Sequence, residues 1–216
     1  HRSTEAETTA RALRAIFNNE KRFAHHEPLP EGPWLGDEGA ANHTRFCADY
    51  GSSGVQFFVF GKYGFRGDDL VTGGAAVEPK RFPARQTYEA SLAIARLHGV
   101  KPEAAVFAQQ NPAAIDAGVF HNDVASVGNR DLLFYHETSF LHADRVLADL
   151  REKFKKVTGA ELRLLRVPVS EVGIEDTVKS YLFNSQLVSL PSLGGGGPGQ
   201  KMALIAPLEC QERPAV

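Results

Sequence analysis

The stretch from Leu132 to Val167 decides the fold, because it contains LLFY (Leu132–Tyr135), DRVLADLREKFKK (Asp144–Lys156) and LRLLRV (Leu162–Val167) in turn. These read as strand, helix and strand. A further strand over Val124–Val127 makes this a strand-strand-helix-strand unit. The same order lies upstream. Asn42–Ala48 and Val55–Gly61 are rich in β-formers and flank Tyr50-Gly51-Ser52-Ser53-Gly54, a hairpin signal. After a polar, glycine-containing insertion that runs to about Arg81, Gln86–Leu97 reads as a helix, with Ala90, Ile94 and Leu97 on one stripe and Gly99 at its C-terminal end. Ala105–Gln109 closes the unit as a short buried strand. The two units repeat at roughly 60 to 75 residues, judged by apolar pattern.

A third, less complete unit follows: Glu175–Phe183 helical, Leu187–Leu190 and Met202–Ala206 extended. Units that cannot close a core singly suggest modules set in a ring around a central site, and here the ring is expected to be incomplete. An amphipathic helix over Ser3–Asn18, with Ala6, Ala10, Leu13 and Phe17 in phase, precedes the first unit, and a Pro/Gly-rich loop over Pro28–Gly39 joins them. The chain starts at His1 rather than Met and stops without a finished element, so 1–216 is expected to be part of one domain, incomplete at both ends.

At 216 residues, 43% hydrophobic and 23% charged, the composition is that of an ordinary globular chain long enough to bury a real core. No run approaches the roughly 18 consecutive apolar residues of a membrane helix, and no apolar signal stretch opens the chain. A cytoplasmic address with no membrane partner is the expectation. The formal charge of −2, with Lys and Arg dispersed, argues against nucleic acid and for a small-molecule partner. The two cysteines, Cys47 and Cys210, form neither a disulfide framework nor a Cys-x-x-Cys site.

Chemistry concentrates in a few places. In Gly118-Val-Phe-His-Asn-Asp-Val124 an extended chain puts His121 and Asp123 on one side. That spacing allows an acid/base pair, in which a carboxylate orients an imidazole and raises its proton affinity; it equally allows a structural hydrogen-bonded pair. Asp37-Glu38 sits in a loop between glycines, and either acid could bind a cationic group or simply be solvated. Arg85 stands at an expected helix start, where a cation opposes the helix dipole, which points to an anion partner or to a surface arginine reaching into water. His25, His26, His136 and His142 have no i, i+4 spacing, so no metal is expected. Phe57, Phe58 and Phe60 read as core. Gly194–Gly199 has no Gly-Lys-Ser/Thr ending and reads as a flexible hairpin connection rather than a phosphate loop.

Longer motifs carry a family resemblance. His1-Arg-Ser3, Phe23-Ala-His-His-Glu-Pro-Leu-Pro30, Asp37-Glu-Gly-Ala-Ala-Asn-His-Thr-Arg45, Arg81-Phe-Pro-Ala-Arg-Gln-Thr87, Ala108-Gln-Gln-Asn-Pro112 and Ala117-Gly-Val-Phe-His-Asn-Asp-Val124 occur in order. Leu133-Phe-Tyr-His-Glu137, Ser180-Tyr-Leu-Phe-Asn-Ser-Gln186 and Pro207-Leu-Glu-Cys210 follow. Together they resemble the N-succinylarginine dihydrolases over nearly the whole chain. The resemblance implies a partial α/β-propeller of the pentein kind, five strand-strand-helix-strand modules around a pseudo-fivefold axis. It implies hydrolysis of N2-succinyl-L-arginine to N2-succinyl-L-ornithine, ammonia and carbon dioxide in arginine catabolism, with no metal or organic cofactor, by a homodimer. It places the catalytic glutamate on Glu38 and the catalytic histidine on His121, with substrate contacts on His1, Arg2, Arg85 and Asp123.

The family nucleophile, a cysteine in a Gly-Gly-Gly-Pro-Ala-Cys-like segment near the C-terminus, has no counterpart here, since neither Cys47 nor Cys210 stands in such a setting. The family's portion before His1 is missing too. The 216-residue chain by itself is therefore expected to be inactive, and unstable because missing modules would leave strand edges uncovered. Alternative readings are another guanidine-modifying enzyme, a deiminase or amidinotransferase, and a non-catalytic ligand-binding subunit.

Overall fold

Apolar strand segments and two amphipathic helices assemble into small mixed sheets. The computed structural model describes residues 2–36, 39–65, 67–191 and 199–216. Strands β1 (His43–Cys47) and β2 (Gly54–Phe60) form an antiparallel hairpin. The chain then runs through a long connection and helix α2 (Tyr88–Leu97) before β3 (Ala105–Gln109) pairs parallel to β2, Phe57 opposite Val106. The second module repeats this order. β4 (Ser126–Asn129) and β5 (Leu132–His136) are antiparallel, and α4 (Ala143–Thr158) leads to β6 (Arg163–Val167), parallel to β5. A third group holds α5 (Ile174–Ser180) and the antiparallel pair β7 (Gln186–Ser189) and β8 (Met202–Ile205). Helices α1 (Ala6–Ile16) and α3 (Pro112–Asp116) complete the set.

The modules share one core. Helix α4 lies over β2 and β3 of the preceding module, so Val146, Leu147, Leu150 and Phe154 pack with Phe46, Phe57, Val59 and Val106. With α2 also packed against β2 and β3, β2 is buried along most of its length, and Phe57, Phe58 and Phe60 are core. On α2 the residues turned inward are Ala90, Ser91 and Ala95; of the stripe expected from the sequence Ala90 is buried and Ile94 half-buried, while Leu97 is exposed. Small side chains there let the helix sit close to the strands.

The first strands of successive groups adjoin: β1 lies against β4, and β4 against β7. Gly128 makes the first approach possible, because a Cβ there would stand 2.6 Å from the Phe46 ring and 2.8 Å from Thr44 Cγ2. Between β4 and β5 the turn residue Arg130, at positive φ and 2% exposed, donates to the Ala48 carbonyl and to Gln200 Oε1. Its neighbour Asp131 takes Arg163 Nη2 at 2.8 Å and the Gly199 N–H at 2.7 Å. One tight turn thus clasps all three groups.

The modules are less evenly spaced than the apolar pattern suggests, because β2 reaches α2 through residues 61–87 and β5 reaches α4 through 137–142. The long connection is fastened at several points: Glu89 accepts the Gly64 N–H at 2.6 Å, and buried Asp69 pairs with His142 Nε2 at 2.7 Å. The helix expected over Ser3–Asn18 is present as a 3-10 turn, Arg2–Glu5, running into α1, whose residues are all partly or fully exposed. β7 and β8 pair as the two sides of a hairpin; most of the glycine run between them, 194–198, lies outside the described residues. Among the described residues no helix is long and apolar enough to cross a membrane.

Candidate functional site

Past α3 the chain turns sharply. Gly118 adopts φ +110, a conformation open to glycine and strained for any other residue. Val119, fully buried, then anchors the chain against Ala114 and Ala125. His121 follows in extended conformation as the cap of a 3-10 turn over Asn122–Val124. The strand expected at Val124–Val127 therefore begins later, at Ser126, and His121 and Asp123 do not share a strand face. The turn forms because Asn122 is held from both sides: its N–H donates to Asn42 Oδ1 at 2.9 Å, and its Oδ1 accepts Ser126 Oγ–H at 2.7 Å. His121 and Asp123 flank that fixed, buried residue and interact electrostatically through the turn rather than along a strand.

Asp123 is half-buried, and burial pushes its carboxyl above the ordinary aspartate range. The charge of His121 and a hydrogen bond from Asn184, in the turn after α5, pull the other way without overcoming burial.

Arg85 does not start a helix. Thr87 caps α2 by accepting the Ala90 N–H at 3.2 Å, so Arg85 lies before the cap, in the segment that leads to it. Its neighbours Ala84 and Gln86 are buried while Arg85 is exposed. Upstream, Asp116 at the end of α3 accepts the backbone N–H groups of Lys80, Arg81 and Phe82 at 2.7–3.1 Å. The first of these, with the others, holds the Asp116 carboxyl below its usual range despite some burial. Arg85 is thereby delivered to the His121 turn: Nη1 stands 3.4 Å from His121 Nε2, and the guanidinium lies over the Phe120 ring, 5.1 Å from its centre. Phe120 is steadied edge-on by Phe82, at 5.2 Å between ring centres.

His121, Asp123 and Arg85 thus converge, and together they offer an imidazole for proton transfer, a carboxylate for a cation and a guanidinium for an anion. His1 and Glu38 lie outside the described residues, as does the Arg2 side chain. The chain on either side of 37–38 is anchored beside the same cluster, since the Gly36 carbonyl accepts the Thr87 N–H at 2.8 Å and the Gly39–Asn42 turn reaches Asn122. Asn42, Asn122, Asn184 and Asp116 escaped notice as site-builders; Asn42 and Asn122 are eighty positions apart, and only tertiary structure pairs them.

Other titratable groups are occupied elsewhere. His136 is fully buried between Thr138 Oγ1 and the Val172 carbonyl. Cys47 is buried in β1. Cys210 packs against the Phe134–Phe183 cluster 3.4 Å from the Ser180 carbonyl, and burial pushes its thiol up, away from the reactive thiolate.

Comparison with known proteins agrees with the resemblance. The family model described as succinylarginine dihydrolase matches residues 1–216. An N-succinylarginine dihydrolase of Aeromonas hydrophila subsp. hydrophila is 54% identical over all of this chain and 45% of its own length. One from Shewanella sediminis is 53% identical over the whole chain and 45% of its length. One from Pseudomonas syringae pv. tomato is 54% identical over 98% of the chain and 44% of its length. The chain spans under half the length of these curated relatives. With its whole length matched by the family model, the chain belongs to the succinylarginine dihydrolase family.

Proposed function

We propose that this chain is the part of an N-succinylarginine dihydrolase that supplies the acid/base and substrate-orienting groups. The enzyme converts N2-succinyl-L-arginine and two waters into N2-succinyl-L-ornithine, two ammonia and carbon dioxide. The convergence of His121, Asp123 and Arg85 on one turn carries the reading, together with membership of the family.

The substrate's guanidinium is always charged and a poor electrophile, so it must be held before it is attacked. Asp123 and Glu38 are the carboxylates that match its planar fork of N–H donors. Arg85, and Arg2, take the substrate's carboxylates. A cysteine thiolate outside these 216 residues adds to the guanidinium carbon, and His121 gives its proton to the departing ammonia. The histidine, now neutral, takes a proton from water as that water attacks the amidino carbon and the thiolate leaves. A second round on the resulting urea expels the second ammonia, and the carbamate loses carbon dioxide.

The adjoining first strands β1, β4 and β7, and the repeated order of strands, support a five-module propeller in which this chain is part of a single domain. The same reading has the whole enzyme work as a cytoplasmic homodimer without a cofactor.

The test uses the protein at the length of its relatives. His121→Ala and Glu38→Gln should each lower succinylornithine formation by at least ~10²–10⁴-fold with the fold intact. Activity within a few-fold of wild type in either variant would refute the assignment of that residue, and one ammonia per substrate would favour a deiminase.

A further inference from the structure

Nothing in the reaction as described assigns a task to Asn42, yet it is 3% exposed and sits where the Gly39–Asn42 turn meets the His121–Asp123 turn. It ends the 3-10 turn Gly39–Asn42, four residues after Glu38. Its Oδ1 accepts the N–H of Asn122, the residue between His121 and Asp123, at 2.9 Å in a buried setting. Asn122 in turn accepts the Ser126 hydroxyl at 2.7 Å, which ties the pair to the start of β4. This is a buried polar relay, Asn42 to Asn122 to Ser126, running from the Gly39–Asn42 turn through the histidine turn into the second module. Asn42 Nδ2 is buried with no hydrogen-bond partner among the described residues. An orphaned buried donor is costly, so the side chain is held here by what its oxygen does.

We propose that Asn42 is a positioning residue for the hydrolysis: through the Asn122 N–H it sets where the His121–Asp123 turn stands against the Gly39–Asn42 turn. This rests on the function proposed above. The physical reason is that glutamate and histidine act on one guanidinium from separate modules, and a misplacement of about 1 Å costs on the order of 100-fold in rate. Among the described residues no helix or strand ladder joins these two turns, and the Asn42 amide links them through a side-chain hydrogen bond.

The experiment compares Asn42→Leu, nearly isosteric but unable to accept, with Asn42→Asp, which keeps an oxygen in the Oδ1 place and exchanges the partnerless Nδ2 for a second oxygen, at the cost of burying an acid. Both are made in the protein at family length. Asn42→Leu should lower kcat on the order of 100-fold, more than it raises KM, and speed hydrogen exchange at the Asn122 amide. Asn42→Asp should restore that protection and most of kcat. Ser126→Ala loosens Asn122 from its other side and, should Asn42→Leu not fold, must still lower kcat more than it raises KM. The proposal is overturned if Asn42→Leu leaves Asn122 exchange unchanged, if kcat stays within twofold, or if Asn42→Asp is as impaired as Asn42→Leu. A wild-type protein that turns over no succinylarginine sinks the functional reading instead, and the exchange measurement still decides whether Asn42 holds the turn.

Discussion

At the scale of single residues, burial of Asp123 has a direct consequence for pH dependence. Its folded carboxyl titrates above the ordinary aspartate range, so the stability linked to its neutral form is present at low pH and lost as pH rises through that raised value. In the role proposed for Asp123, substrate binding needs the opposite state, because only the carboxylate pairs with a guanidinium. KM for succinylarginine should therefore rise on acidification at a pH above that expected of an exposed aspartate. A KM-against-pH series checks this, and Asp123→Asn should raise KM throughout and flatten that limb. The family motifs point to His121, Asp123 and Glu38, of which Glu38 lies outside the described residues, and the reason spacing gave for joining the first two, a shared strand face, is not how they meet. Asn122, pinned by Asn42 and Ser126, bends the chain into a turn instead. Period-two reasoning has no access to a hydrogen bond made from another module.

Elements were more legible than their ends. β3 matches its apolar run residue for residue, and α4 exceeds its predicted span by one residue at the start and two at the end, closing on Gly159 at φ +73. α2 starts later than its helical pattern, because Thr87 offers a better cap than any residue before it. Leu97 departs from the stripe expected on α2 while Ala90 keeps to it: the small Ala90 and Ala95 face the strands, and the larger Leu97 stays exposed. Close approach also governs β1 against β4, which makes Gly128 a sensitive position. Gly128→Ala should destabilise the protein by roughly 1–3 kcal/mol through overpacking against Phe46 and Thr44. Chemical denaturation would read this as a lower midpoint at unchanged slope; a midpoint equal to wild type would show that the two strands separate at no cost.

Over the whole molecule, the repeat of strand-strand-helix-strand order could be read from apolar segments, but its regularity could not. The connection from β2 to α2 is held by Asp69, Glu89 and Asp116 through backbone donors, a form of order with no apolar period. Nor could the sequence show that α4 completes the core of the preceding module, so that Phe154 and Phe57 belong to one cluster. That sharing, with the Arg130–Asp131 turn joined to β1 and to Gly199–Gln200, means the site is built between modules: Asn42 from the first, His121 and Asp123 from the link to the second, Asn184 from the third. Chemistry assembled in this way depends on the neighbouring modules, and the chain at family length is the object to measure. The most direct test is to give that protein N2-succinyl-L-arginine and quantify products. The account predicts succinylornithine with two ammonia per molecule formed, and loss of both in His121→Ala. A single ammonia with a urea product, or saturable binding without turnover, would contradict it.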